Sequence, residues 1–114
     1  MGHPVSWFQI QAKDGKKLQS FYKKVFNWKM SMLPDGINQM VAPEEGGIAG
    51  GVGPSQDGSN SVSVYITVAD VAAHLAKAEK AGAKRALEPM PLPDNMGTIG
   101  GFIDPAGNFT EVGS

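Results

Sequence analysis

Apolar and polar side chains alternate along residues 5–12, where Phe8 and Ile10 point to one side and Trp7 and Gln9 to the other. A period of two residues is typical of a β-strand, because successive side chains point to opposite faces of a sheet. The segment therefore predicts a strand with one apolar face and one face that carries polar and aromatic groups.

The same alternation returns at residues 62–68. Four aliphatic residues share one face, and polar or aromatic residues occupy the other: Ser63, Tyr65 and Thr67. Each strand is followed by an aspartate that can cap a helix, and these two aspartates, Asp14 and Asp70, are 56 positions apart. A repeat at about half the chain length predicts two similar halves. We expect the apolar face of each strand to meet its helix and the other face to carry function.

A helix is predicted after each capping aspartate. Beyond Asp14, four apolar residues have the i, i+3, i+4, i+7 spacing of one buried helical stripe: Leu18, Phe21, Tyr22 and Val25. Lysines occupy the solvent side of this helix. After Asp70 the inward positions of the second helix are Val71, Leu75 and Ala78, and Gly82 provides its end.

The remaining apolar segments are separated by residues typical of turns, such as Asp104-Pro-Ala-Gly107, and predict further short strands. These are 28–33, 37–42 and 47–52 in the first half and 84–87, 98–103 and 109–112 in the second. The predicted fold class is α+β, a single domain over 1–114. Two βαβββ modules, 4–53 and 62–114, are joined by a linker at 54–61. Their strands form a cupped mixed sheet with the helices outside.

Composition narrows the classes of function. The chain has 114 residues, a net charge of −1 and no cysteine, which excludes disulfides, thiolate catalysis and cysteine-ligated zinc. Its net charge gives no reason to expect nucleic acid or a membrane as partner. No apolar run approaches the roughly 20 residues that span a bilayer, and no signal peptide is recognisable, so we expect a cytoplasmic protein.

Several motifs together resemble the vicinal oxygen chelate superfamily, which includes glyoxalase I, extradiol dioxygenases and the bleomycin and fosfomycin resistance proteins. The resemblance covers essentially the whole chain. It rests on the segments Trp7-Phe-Gln-Ile10, Phe21-Tyr-Lys-Lys-Val-Phe-Asn-Trp28, Gly46-Gly-Ile-Ala-Gly-Gly51, Tyr65-Ile-Thr-Val-Ala-Asp-Val71 and Asp104-Pro-Ala-Gly-Asn108 with Glu111. It implies paired βαβββ modules, frequent homodimers and, in many members, a divalent metal held in the trough of the sheet.

The positions at which the resemblance implies metal ligands mostly hold residues that do not bind metals well. The first-strand positions hold Trp7 and Ser63, and residues 48–52 offer no ligand, so only Glu111 matches the last-strand glutamate. We expect the two histidines, His3 and His74, to lie away from the trough. We therefore predict no metal site and no cofactor. A divalent metal would need Glu111 with partners that are poor substitutes for histidine or carboxylate.

The predicted ligand-binding residues are those on the free faces of the two first strands: Trp7, Gln9, Ser63, Tyr65 and Thr67. Aromatic walls with a few hydrogen-bonding groups are typical of a small-molecule pocket. The alternative is that Trp7 and Tyr65 pack against protein, at a sheet or dimer contact. Glu111 is the candidate catalytic residue, because burial would raise the pKa of its carboxyl toward use in proton transfer. The alternative is an acid in solvent or paired with a lysine.

Three functional hypotheses follow. The first is a protein of the bleomycin-resistance type that binds a small planar or aromatic molecule without a strong metal site. The second is a metal-dependent lyase or dioxygenase that uses Glu111. In the third, the trough serves mainly as a dimer or partner interface. We prefer the first hypothesis because the metal ligands are missing. The expected assembly is a homodimer. The fold alone does not decide among the three hypotheses.

Overall fold

A computed structural model describes residues 2–114, except for the side chain of Asp94. The strands and helices follow the predicted order: β1 (Val5–Ala12), α1 (Gly15–Phe26), β2 (Met30–Met32), β3 (Gln39–Val41), β4 (Ala49–Pro54), β5 (Ser61–Thr67), α2 (Val71–Lys80), β6 (Lys84–Pro91), β7 (Thr98–Ile103) and β8 (Phe109–Gly113). A 3₁₀ turn, Pro93–Asn95, follows β6. The α+β fold class with a repeated βαβββ order is confirmed. Strand β6 is longer than predicted.

The chain divides into two compact units, which we describe separately. The N-terminal unit comprises residues 7–63, and its strands lie in the order β2-β3-β4-β1. Strand β1 runs parallel to β4, and the other pairs are antiparallel. The C-terminal unit comprises residues 2–6 and 64–114, with the order β5-β8-β7-β6, a parallel β5–β8 pair and antiparallel pairs elsewhere. Both units therefore have the predicted mixed strand pairing. The module limits given above remain a prediction.

Both helices begin as predicted. The Asp14 carboxylate accepts a hydrogen bond from the Lys17 backbone N–H at 3.0 Å, and Asp70 accepts one from Ala73 N–H at 3.0 Å. Each bond satisfies an N–H of the first turn that has no partner within its helix. Gly15 allows α1 to approach β4 closely, since a Cβ at this position would overlap Pro54.

Each unit has its own small hydrophobic core. In the N-terminal unit Ile10, Val41 and Val52 are buried and pack with half-buried neighbours from α1 and the strands, including Phe8, Leu18 and Tyr22. The ring of Trp28 joins this core: it is stacked on Tyr22 at a centroid distance of 5.3 Å and tilted against Phe8 at 5.5 Å. In the C-terminal unit the buried residues are Val68, Val71, Leu75 and Val112, with Ile66 and Phe102 against them. The predicted inward positions Ile10, Val71 and Leu75 are thus confirmed.

The predicted burial was wrong in two places. Phe21 and Val25 of the predicted α1 stripe are more than half exposed, because the helix is rolled toward Gln19 on its other edge. Val64 is exposed as well, since α2 packs mainly over β6, β7 and β8 and leaves the first half of β5 uncovered. Val62, at the start of β5, is 74% exposed.

Gln19 is a buried polar anchor between α1 and the strands. Only 5% of this residue is exposed. Its side-chain N–H groups donate to the carbonyls of Val52 at 2.7 Å and Ile37 at 3.0 Å, and its Oε1 accepts a long hydrogen bond of 3.4 Å from Gln39. Because the Val52 carbonyl would otherwise lie buried without a partner, the anchor fixes which face of α1 meets the sheet.

We expect Gln19→Leu to lower the free energy of unfolding by about 1–3 kcal/mol, because an apolar side chain of similar size leaves the Val52 carbonyl unsatisfied. Urea denaturation followed by circular dichroism measures this loss. Ser20→Ala, at the exposed neighbouring position, is the control and should change the value by less than about 0.5 kcal/mol. Equal stability of both variants would show that the anchor does not hold the helix.

No helix among the described residues is long and apolar enough to cross a membrane.

Candidate functional site

Trp7 and Gln9 form a hydrogen-bonded cluster on the free face of β1, in the N-terminal unit. The indole N–H of Trp7 donates to the Gln9 side-chain oxygen at 2.9 Å. Both side chains lie across Gly51 of β4, where a Cβ would sit 2.7 Å from Gln9 Oε1 and 3.1 Å from Trp7 Cζ2. A larger residue at 51 would lift them from the sheet. We call this arrangement the Trp7–Gln9 cluster.

Asn38 extends this cluster, although it was not among the predicted site residues. Its Oδ1 accepts a long hydrogen bond of 3.5 Å from the Gln9 side-chain N–H, and its side chain covers Gly53. Asp35 holds Asn38 in place by accepting hydrogen bonds from its backbone N–H at 2.9 Å and its side-chain N–H at 2.7 Å. These bonds, the side-chain bond first, lower the pKa of the Asp35 carboxyl. The Asp-x-x-Asn spacing in a predicted turn was the available signal.

Tyr65 and Glu111 are adjacent on the free face of the C-terminal unit. They are register partners on the parallel strands β5 and β8, and both are half-buried. The Tyr65 ring lies across Gly113, where any Cβ would overlap it. Of the sequence-predicted site residues, these two are brought together here, whereas Trp7 and Gln9 are brought together in the other unit. We call Tyr65 and Glu111 the Tyr65–Glu111 pair.

Burial sets the protonation behaviour of this pair. It raises the pKa of the Glu111 carboxyl. Burial first, and the nearby Glu111 charge second, raise the pKa of the Tyr65 hydroxyl to about 12. Among the described residues, no group makes a hydrogen bond with the Glu111 carboxylate. The pair thus presents a carboxyl group that can accept a proton or a hydrogen bond and a neutral phenol that can donate one.

The two remaining predicted binding residues have less to offer a ligand. Ser63 is buried, with 7% of the residue exposed. Thr67 is exposed, but its hydroxyl lies 2.6 Å from the Ser6 hydroxyl and its backbone N–H donates to the Pro4 carbonyl at 3.0 Å. Their roles in ligand binding remain predictions.

His3 and His74 meet each other rather than any carboxylate. Their ring centroids are 4.8 Å apart in an edge-to-face arrangement, and His74 Nδ1 lies 3.1 Å from the Asp70 carbonyl oxygen, on α2. Neither joins a group of three potential metal ligands among the residues that the structure describes.

The model of the glyoxalase-like domain family matches residues 7–112, nearly the whole chain. The chain belongs to the glyoxalase-like domain family. This places it in the vicinal oxygen chelate superfamily, as its sequence motifs indicated. No curated protein sequence matches the chain.

Solved structures agree with the glyoxalase-like fold at low sequence identity. The chain is similar to an NAD-dependent benzaldehyde dehydrogenase from Legionella pneumophila, with 12% identity, a TM-score of 0.70 and coverage of 94% of this chain and 96% of that one. It is similar to an Mn(II)-bound glyoxalase from Novosphingobium aromaticivorans, with 23% identity, a TM-score of 0.66 and coverage of 96% and 38%. A variant of Streptomyces coelicolor methylmalonyl-CoA epimerase gives 18% identity, a TM-score of 0.63 and coverage of 97% and 96%. At these identities the likeness shows the fold alone.

The donor groups of this glyoxalase-like chain do not fit a divalent metal. A catalytic metal needs about three protein ligands with an open position. Glu111 has Tyr65 as its register partner, and a neutral phenol whose pKa is raised is a poor ligand. The described residues contain no group of three histidines or carboxylates around Glu111 or elsewhere. Metal chemistry therefore contributes no step to the function that we propose.

The raised pKa of Glu111 predicts a pH-dependent effect of Glu111→Gln on stability. Below the pKa of the unfolded state the carboxyl is neutral in the folded and in the unfolded protein, so it does not lower the free energy of unfolding. As pH rises through the higher folded-state pKa, the buried charge destabilises the native protein. The variant should therefore gain stability relative to the natural chain between pH 4 and pH 8, as measured by urea denaturation at several pH values.

Glu45→Gln, which neutralises an exposed carboxylate, is the control for this titration. Its stability difference should change much less over the same range. If the Glu111→Gln difference were independent of pH, or fell as pH rose, the carboxyl would not be desolvated as described.

Proposed function

We propose that this glyoxalase-like protein binds a small planar or aromatic molecule without the help of a divalent metal. The observation that carries the proposal is the geometry of Trp7. Its indole lies across Gly51, its N–H is already bound by Gln9, and it joins no ring pair among the described residues. A half-buried ring fixed in this way can stack on a planar ligand without losing further rotamer freedom.

The free face of each unit, taken by itself, has polar groups that supply orientation and selectivity to a ligand bound there. The long bond of 3.5 Å between Gln9 and Asn38 is weak, so the Gln9 side-chain N–H can turn to a ligand acceptor at little cost. In the C-terminal unit the Glu111 carboxyl has no hydrogen-bonding partner among the described residues and can accept from a ligand donor. Few directed polar groups among apolar and aromatic walls are typical of small-molecule sites.

A metal-free acid–base role for Glu111 is the second candidate function. It is favoured by the raised pKa of the carboxyl and by the neutral Tyr65 phenol beside it. A general base works best when its pKa lies near the working pH. The metal-dependent lyase or dioxygenase alternative has weaker support, because Glu111 lacks histidine or carboxylate partners. Use of these faces as a homodimer interface competes with ligand binding, and ultracentrifugation with and without ligand distinguishes the two.

We expect planar aromatic compounds, with bleomycin among the probes, to shift the indole N–H signal of Trp7 in ¹⁵N–¹H NMR spectra. The chain has two tryptophans, so Trp28→Phe assigns the two signals and serves as the matched control. Trp28 is packed on Tyr22 and Phe8, and its signal should move little. Trp7→Ala should weaken binding by roughly three- to tenfold, which corresponds to the loss of one aromatic pair.

The folded state must survive the change for this test to count, and circular dichroism with thermal unfolding checks it. A folded Trp7→Ala protein that binds the same probes with unchanged affinity would contradict the proposal. Global unfolding of Trp7→Ala would show that Trp7 is a core residue, and that outcome would also overturn the proposal.

A further inference from the structure

An open groove lies beside α1 in the N-terminal unit, between the start of the helix and the β2–β3 hairpin. Its volume is about 540 Å³, and the residues that matter for recognition are Lys13, Lys16, Gln19, Met32, Ile37 and Pro54. A second hollow of about 300 Å³ shares Lys16, Gln19 and Met32 and adds Lys23. We call the two together the α1–hairpin groove. It shares no residue with the Trp7–Gln9 cluster or the Tyr65–Glu111 pair.

The rim of the groove is positively charged. Lys13, Lys16 and Lys23 are exposed. Arg85 is the only cation in the ion pairs of the described residues, so none of these three ammonium groups is paired with a carboxylate. Two carboxylates belong to the same segments: Asp14, which lines the groove and caps α1, and Asp35, which accepts hydrogen bonds within the hairpin loop. These hydrogen bonds do not neutralise the carboxylates, so three lysines against two carboxylates leave a local excess of one positive charge in a chain whose net charge is −1.

The wall opposite these lysines is apolar. Met32 and Ile37 are 53% and 55% exposed, and Pro54 lies beside them. The backbone of Ile37 is held by two hydrogen bonds. Its N–H donates to Asp35 at 2.9 Å, and its carbonyl accepts from Gln19 at 3.0 Å. Apolar surface that faces water is unfavourable in the free protein, and a ligand that covers it removes that cost.

We propose that the α1–hairpin groove binds a small organic anion with an apolar body, of which an aliphatic carboxylate is the simplest form. Lysines at the rim attract a single anionic head group as point charges, and Met32, Ile37 and Pro54 contact the hydrocarbon body. The site depends on these side chains and not on the helix terminus, because Asp14 already occupies the Lys17 N–H. The volume suits a ligand of this size, since small-molecule pockets span about 300–1,000 Å³.

The proposal is tested by titrating the ¹⁵N-labelled protein with octanoate, acetate and 1-octanol and following its amide signals by NMR. Octanoate combines the charge with the apolar body, whereas each other probe has only one of them. We expect octanoate to shift the amides of residues 13–20 and 32–39 saturably. Acetate and 1-octanol should bind at least about tenfold more weakly, because each loses one of two contributions.

Matched variants locate the site. Lys16→Gln and Ile37→Ser should each weaken octanoate binding by on the order of fivefold, through loss of a charge contact and of apolar contact respectively. Lys77→Gln removes the same charge from α2, and Val62→Ser removes an exposed aliphatic side chain outside the groove. Neither control should change octanoate affinity. Because the variants lie at exposed positions, we expect all four to fold, which their amide spectra verify.

Several outcomes would overturn the proposal. Octanoate shifts confined to β1, β5 or β8 would place the anion on the free faces instead. Equal binding of octanoate and 1-octanol would remove the role of the lysines, and unchanged affinity in Lys16→Gln and Ile37→Ser would exclude the groove. In one further outcome, the free protein sediments as a dimer that octanoate dissociates, with the accompanying amide shifts centred on residues 32–39. That outcome would assign the groove to a second copy of the chain.

Discussion

Close packing of large side chains across glycines of the neighbouring parallel strand is the constraint on which both units depend. Phe8 lies over Gly50, and Trp7 with Gln9 lies over Gly51 on the opposite face of β4. In the C-terminal unit Tyr65 lies over Gly113 of β8. A Cβ at any of these glycines would displace the side chain above it. The same glycines therefore let rings pack in the core and keep the functional side chains flat against the free faces.

Much of the fold was predictable because its signals are local. Alternation at β1 and the Asp14 and Asp70 caps require only neighbouring residues, and all appear as expected. The roll of α1 was not predictable, since it depends on Gln19 reaching the carbonyls of Val52 and Ile37, which are distant in sequence. The hydrophobic stripe favoured Phe21, yet the buried amide anchor determined the orientation of the helix.

The candidate site was predictable residue by residue but not as a set of contacts. Sequence pattern placed Trp7, Gln9 and Tyr65 on free faces, and the family resemblance selected Glu111. The structure pairs Trp7 with Gln9 by a hydrogen bond and Tyr65 with Glu111 by register. Asn38 was not predicted, because its position depends on a loop that Asp35 holds by hydrogen bonds. The glyoxalase-like fold hosts several chemistries, so function must be argued from these groups. Here they comprise rings, amides and one desolvated carboxyl.

The central claim is that the free faces, each within its own unit, offer groups that recognise an organic ligand but do not hold a divalent metal. Titration of chelator-treated protein into Mn²⁺, followed by electron paramagnetic resonance of the free hydrated ion, tests it most directly. The account predicts that the free-ion signal persists in the presence of excess protein. Loss of one equivalent of that signal, reversed by Glu111→Gln in otherwise folded protein, would contradict it.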